Sequence, residues 1–329
     1  MIDGVGRTID YVRISVTDRC NLRCLYCMPE EGVESIPHDK ILRFQEILRI
    51  CRVLADRGVK KVKITGGEPL VRKGVVDLIA GIKAIPGIEN VTITTNGVLL
   101  EEMYDDLADA GIDAITVSLD TMNREIYRKL TRRDEAERVK RGISLAVSKN
   151  RVPIKINCVP VLGVKEQELL DLLELARNHP VHVRFIEMMP IGLGSQFPFV
   201  KEDDLKAFLE EHLGSLTPCH DVAGNGPCHY FSAEGFCGRI GFISAVSHKF
   251  CSSCNRVRLT AEGFLKTCLQ YDCGVQLKPL LAAGCSDEEL AQAIHTALCG
   301  KPAGHDFEQA KEPDGSEAKD TRKMSQIGG

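Results

Sequence analysis

"YVRISVTDRCNLRCLYC", residues 11–27, decides the fold. Its first half alternates, with Val12, Ile14 and Val16 on one face and Tyr11, Arg13 and Ser15 on the other, as a strand requires. Its second half is a loop carrying Cys20, Cys24 and Cys27. A strand that hands straight over to a cysteine-rich loop places metal chemistry at the strand's C-terminal end.

Further strands are expected at Lys60–Thr65, Asn90–Thr95, Ala114–Leu119, Pro153–Pro160 and His182–Met188. Helices separate them. "RFQEILRICRVLADRG" repeats apolar residues at 44, 47, 48, 51, 54 and 55 and stops at Gly58, and "LLEEMYDDLADAG" and "QELLDLLELARNH" repeat the pattern. Strand–helix alternation predicts right-handed crossovers and a parallel sheet. Six such units are too few for a closed eight-fold barrel, so an open, partial βα barrel is expected.

Parallel strands covered on both faces read as continuous apolar runs, whereas these alternate. Lys61, Lys63 and Thr65 oppose Val62 and Ile64; Thr92, Thr94 and Asn96 oppose Val91 and Ile93; Lys155 and Asn157 oppose Ile154 and Ile156. The same holds for Thr116, Ser118 and Asp120, and for His182 and Arg184. The helices must cover the apolar face, so the polar, partly cationic face lines the barrel's interior. An antiparallel sheet wetted on one side is the alternative, disfavoured by the intervening helices.

The rhythm ends near residue 214, dividing the chain into 1–214 and 215–329. Leu216–Cys237 reads as irregular, "RVRLT-AEG-FLKTCL" as a hairpin, and a helix opens at Ser286 with Glu289 at capping-box spacing and ends at Gly300. Residues 303–323 are charged and poor in apolar groups, which predicts a flexible tail, ending at Gly328-Gly329.

The 329 residues carry a net charge of −4, so any anionic ligand needs locally gathered cations, and neither nucleic acid nor a membrane is expected as a partner. No run approaches a membrane span or a signal-peptide core, so a cytoplasmic location is expected. Fourteen cysteines there are poor candidates for disulfides and good ones for metal. A zinc site at the first triplet would need a fourth ligand, and His38 stands on no zinc spacing. An iron–sulfur cluster with three thiolates keeps one iron open to a small molecule. A second triplet, Cys251, Cys254 and Cys268, repeats the arrangement; a zinc knuckle completed by Cys273 or His248 is its alternative. Cys51 and Cys158 fall on apolar faces, and the remaining cysteines carry no expected metal role.

Cys-x3-Cys-x2-Cys, with Tyr26 before the last cysteine, resembles the signature of radical S-adenosylmethionine (SAM) enzymes, and "ITGGEP" at 64–69 resembles their glycine-rich turn after the second strand. Cys-x2-Cys-x13-Cys with "CSSCNRVRLT" and the final Gly-Gly is similar to the GTP-cyclising family of molybdenum-cofactor biosynthesis. The resemblance spans the whole chain. It implies a partial (βα)6 TIM-like barrel of the radical SAM type with a smaller C-terminal auxiliary iron–sulfur domain. It implies two 4Fe–4S clusters on three cysteines each, with SAM on the first. The SAM contacts would be Tyr26, Gly67, Ser118 and Met189. GTP would be held by Arg13, Lys63, Thr94, Lys155, Arg256, Val257 and Arg258; position 63 is often arginine in the family. Arg184 and the Gly328-Gly329 tail would act at the reacting centre.

The implied reaction is abstraction of the ribose C3′ hydrogen by a 5′-deoxyadenosyl radical, attack on guanine C8, and reduction to 3′,8-cyclo-7,8-dihydro-GTP, with the second open iron ligating the purine. A flavodoxin- or ferredoxin-type electron donor is implied. So is a downstream cyclic pyranopterin monophosphate synthase, for a monomeric or homodimeric enzyme. A peptide maturase of the same superfamily, and a non-catalytic iron–sulfur or zinc protein, are the competing readings.

Overall fold

A computed structural model describes residues 1–34, 36–161, 166–220, 224, 226–307, 320 and 322–328. Its elements run β1 (Tyr11–Ser15), α1 (Phe44–Asp56), β2 (Lys61–Thr65), α2 (Val75–Lys83), β3 (Asn90–Thr95), α3 (Leu100–Asp109), β4 (Ala114–Ser118), α4 (Arg124–Thr131), α5 (Ala136–Lys149), β5 (Ile154–Cys158), α6 (Glu166–Asn178) and β6 (His182–Ile186). There follow α7 (Glu202–Leu213), β7 (Thr217–Cys219), β8 (His229–Ser232), β9 (Arg239–Ile243), β10 (Arg256–Leu259), β11 (Phe264–Lys266), β12 (Gly274–Gln276), α8 (Lys278–Ala282), α9 (Asp287–Cys299) and α10 (Met324–Ile327).

The expected six strands form, and they pair in parallel in chain order from β1 to β6. The sheet stays open, with β12 and β7 at its edges. Residues after 214 extend both sides of this sheet. β10 adds in parallel to β1 and carries the antiparallel β11 and β12, while β9 adds in parallel to β6 and carries β8 and β7.

Two segments differ from the sequence reading. Leu216–Cys237 contains β7 and β8, which form a ribbon with β9 through His229↔Phe242 and Phe231↔Ile240. These strands are too short to show an alternating pattern of their own. The segment expected to be loose is folded at both ends. Residues 303–307 pack on Cys251 of the second triplet, and α10 buries Ser325 and Ile327. Residues 308–319, 321 and Gly329 lie outside the described residues.

The outward face follows the alternation. Val12, Ile14, Val62, Ile64, Val91, Ile93, Ile115, Val117, Ile154, Ile156, Val183 and Phe185 join one core with the inward faces of α1, α2, α3, α5 and α6. Full burial of each such side chain contributes roughly 1.5–3 kcal/mol. That apolar shell holds the polar inner face rigid. α9 opens as expected, with the Ser286 hydroxyl accepting from the Glu289 N–H and the Glu289 carboxylate accepting from the Ser286 N–H.

Candidate active site: a cationic cavity between two cysteine triplets

The barrel interior is a cavity of about 790 Å3. Cys20, Cys24 and Cys27 line it, as do Cys251, Cys254 and Cys268. The two triplets, 224 positions apart between Cys27 and Cys251, therefore face one space. Tyr26, Gly67, Ser118, Met189, Arg13, Lys63, Thr94, Lys155, Arg184, Arg256, Val257 and Arg258 line it too. Val257 is 1% exposed and packs in the outer core, so it separates the two inward arginines of β10.

Cross-strand register builds the charge. Arg13 on β1 stands directly opposite Arg258 on β10 and opposite Lys63 on β2, which puts three cations side by side. Like charges in that arrangement destabilise a sheet. Burial, and then Arg184, Arg13, Lys155 and Arg256, hold the Lys63 ammonium well below its ordinary pKa. Burial and the Arg184 charge bring Lys155 down to about 8. The Thr116 hydroxyl accepts from Arg184 Nη2 at 3.2 Å and Lys63 Nζ at 3.5 Å. A polyanion would relieve the repulsion. Several buried polar atoms of the lining, including Thr94 Oγ1, Asn157 Oδ1, Arg184 Nε and Arg256 Nε, have no protein hydrogen-bond partner. These are the features of a site shaped for a phosphate-bearing ligand.

The first triplet sits where β1 runs out. The Cys27 and Met28 N–H groups both bond the Cys24 carbonyl at 3.0 Å. Burial pushes Cys20 up to about 11 and Cys27 up to about 12; Cys27 and Cys20 further disfavour ionisation of Cys24, and Cys20 that of Cys27. Three crowded, half-buried thiols fit an iron cluster whose charge would make thiolates of them. In the second triplet, burial raises the Cys254 thiol. Lys301, the Arg256 N–H and the Arg256 charge outweigh it and hold the thiol below its usual value.

The zinc alternative needs a fourth ligand beside the second triplet, from Cys273 or His248. Among the described residues no three His, Cys, Asp or Glu side chains are gathered to hold a single metal ion. His248 lies 3.3 Å from Asp203, and Cys273 faces a separate groove with Gly274 and Val275. Cys51 and Cys158 are buried core residues, as expected.

Glycines 66 and 67 have a physical reason beyond ligand approach. A Cβ on Gly67 would lie 2.4 Å from the Arg19 carbonyl oxygen, and one on Gly66 2.6 Å from that of Thr17. Only glycine lets this turn nest on the loop that leads into the first triplet. Glu68 then anchors it, accepting from Leu70 N, Thr95 Oγ1 and Asn96 N at 2.6–3.0 Å. Tyr26 is held by Asp120 through a 2.7 Å hydrogen bond from its hydroxyl. Gly328, at φ +86°, packs against Thr65 and Ser15 and accepts from Arg258.

Asp120 lines the cavity, as its place on the polar strand face predicts, whereas Glu68, Lys266, Lys301, His305 and Phe307, which line it too, carry no expected role in the sequence. Lys266 was within reach, since it stands two residues before Cys268 in the hairpin that was recognised.

Residues 14–176 match the radical SAM superfamily and residues 181–307 the molybdenum cofactor synthesis C-terminal family. GTP 3′,8-cyclases of Syntrophomonas wolfei, Heliobacterium modesticaldum and Clostridium perfringens are 45%, 44% and 43% identical, with all of each chain covered. Among solved structures, Streptococcus suis SuiB bound to S-adenosylmethionine matches with TM-score 0.60 at 17% identity, over 89% of this chain and 68% of that one. This last likeness is one of fold.

Proposed function

The chain belongs to the radical SAM family of GTP 3′,8-cyclases, and from that premise we propose that its single cavity holds SAM at one end and GTP at the other, each beside a three-cysteine 4Fe–4S cluster. The enzyme carries out radical SAM-dependent cyclisation of GTP in molybdenum-cofactor biosynthesis. One observation carries the proposed arrangement: both triplets and the cationic strand face line the same space.

Cys20, Cys24 and Cys27 would hold the first cluster and Cys251, Cys254 and Cys268 the second, and three thiolates each would leave one iron to a small-molecule ligand. When bound, the first cluster and SAM supply one-electron sulfonium cleavage and a hydrogen-abstracting carbon radical. The chain's own part is placement. Tyr26, fixed by Asp120, with Gly67, Ser118 and Met189, receives SAM. Arg13, Lys63, Thr94, Lys155, Arg256 and Arg258 receive GTP, arginine through its planar fork and lysine as a point charge. Arg184, tied to Thr116, orients the ribose end. Gly328 fixes Arg258, and no bulkier residue would fit between Ser15 and Thr65. Holding C3′ against C8 in a preorganised cavity removes much of the entropic barrier to ring closure.

A flavodoxin- or ferredoxin-type protein supplies electrons, and a cyclic pyranopterin monophosphate synthase takes the product. The enzyme acts in the cytoplasm as a monomer or homodimer; no described helix is long and apolar enough to cross a membrane. Anaerobic incubation of the reconstituted protein with GTP, SAM and a strong reductant tests the reading. It requires 5′-deoxyadenosine and a cyclised nucleotide together.

A further inference from the structure

Residues 302–307 form a strap over the second triplet, tied at three places. Arg7 is the first tie. Its Nε donates to Asp3 Oδ2 at 2.6 Å, and its Nη atoms donate to the carbonyls of Pro302 at 2.6 Å, Ala303 at 2.9 Å and Cys251 at 2.8 Å. Both side chains of this ion pair are buried. One guanidinium thus joins the N-terminal segment, the strap and the backbone of a cluster cysteine. At the second tie, the His305 N–H lies 3.4 Å from Cys251 Sγ. The third is the Gln270 amide, which accepts from Asp306 N at 2.6 Å and donates to Asp306 O at 2.9 Å.

A strap held this firmly presents its alternate side chains in fixed positions. His305 and Phe307 both line the cavity, with ring centroids 4.2 Å apart and planes inclined by 33°. The other phenylalanine of the cavity wall, Phe250, is already covered by the Arg256 guanidinium at 5.3 Å. Binding a triphosphate has no use for an aromatic pair. A planar base does, because ring faces stack on aromatic side chains whichever edge is engaged elsewhere.

We propose that His305 and Phe307 form the stacking wall for the guanine of GTP beside the second cysteine triplet. This rests on the reading that the purine ligates the open iron there. An edge bound to iron next to Cys251 leaves a ring face beside the residue that bonds Cys251 Sγ. Arg7 is the positioning residue that keeps the strap against that cysteine.

The chain has no tryptophan, so Phe307→Trp installs a lone fluorescent reporter in the anaerobic, cluster-loaded protein. GTP is expected to change its emission and inorganic triphosphate to leave it nearly unchanged. Phe307→Leu should lower the ratio of GTP to triphosphate affinity about tenfold, and Phe307→Tyr should restore it. Both affinities come from one preparation, so a partly folded variant does not distort the ratio. Nitrogen-15 GTP, read by hyperfine coupling to the second cluster in the unaltered protein, separates the premise from the proposal. Coupling with an unchanged ratio in Phe307→Leu, or with equal tryptophan responses to both ligands, overturns the stacking wall alone. Absent coupling overturns the purine–iron reading and the wall with it.

Discussion

Arg258, on the strand that joins β1, donates from Nη1 to the carbonyl of Gly328, seventy positions further along the chain. Burial, then Arg13 and Arg256, disfavour the Arg258 charge, and the carbonyl dipole offsets part of that cost. The tail thereby sets the direction of one cavity-lining arginine. α10 also reaches the first cysteine triplet, where the Ser325 N–H bonds the Cys27 thiol.

Gly328→Ala should disturb that contact. Its φ of +86° and a Cβ placed 2.9 Å from Thr65 Cγ2 make the substitution strained. The left-handed backbone alone costs a non-glycine residue about 1–2 kcal/mol, which lowers tail docking by about 5- to 30-fold. The expected outcome is weaker GTP turnover with SAM cleavage retained, measured as 5′-deoxyadenosine against cyclised nucleotide.

The two triplets should be separable. Cys20→Ser should abolish 5′-deoxyadenosine formation, and Cys268→Ser should preserve it while abolishing cyclisation. Each variant should lose about half of the roughly eight irons expected for two cubanes. Iron and sulfide analysis of anaerobically reconstituted variants provides the count.

Lys155 gives the site a pH dependence. Its pKa in the folded protein is depressed to about 8 from an ordinary 10.5. A depressed lysine is charged below the folded value and neutral above it. GTP affinity should therefore fall as pH rises through about 8. Bound phosphate favours the ammonium and moves the midpoint up. For the ligand-free protein the sign is opposite: the unfolded chain binds more protons between pH 8 and 10.5, so stability rises with pH in that window. Lys155→Arg should flatten the KM profile, which a titration of KM from pH 7 to 9.5 would read.

Gly241 faces Arg184 across the β6–β9 pair. A Cβ there would come 2.5 Å from Cys228 Sγ and 3.0 Å from Arg184 Cγ. Gly241→Ala should displace Arg184 and reduce cyclisation several-fold, while Cys228→Ala added to it should recover part of the loss by emptying the tighter contact. Comparing single and double variants in a mutant cycle measures this coupling.

Local pattern carried much of this architecture. The alternation of "KVKIT" and "VTITT" placed the inner and outer faces of β2 and β3, because a period of two leaves no third option. The Ser286–Glu289 spacing placed the start of α9. The strap was missed because its ties are long-range: Arg7 meets Pro302 across 295 positions, and no local composition records such a contact. β9 was missed because "RIGFI" breaks its pattern at Gly241, the residue that makes room for Arg184. The room needed by the Arg184 and Cys228 side chains there interrupts the strand signal.

The central claim is that SAM-derived radical chemistry acts on the ribose of GTP held across this cavity. GTP deuterated at C3′, incubated anaerobically with the cluster-loaded protein, SAM and reductant, tests it most directly. Deuterium in 5′-deoxyadenosine, accompanied by the cyclised nucleotide, is the predicted result. Nucleotide cyclisation with unlabelled 5′-deoxyadenosine would contradict it.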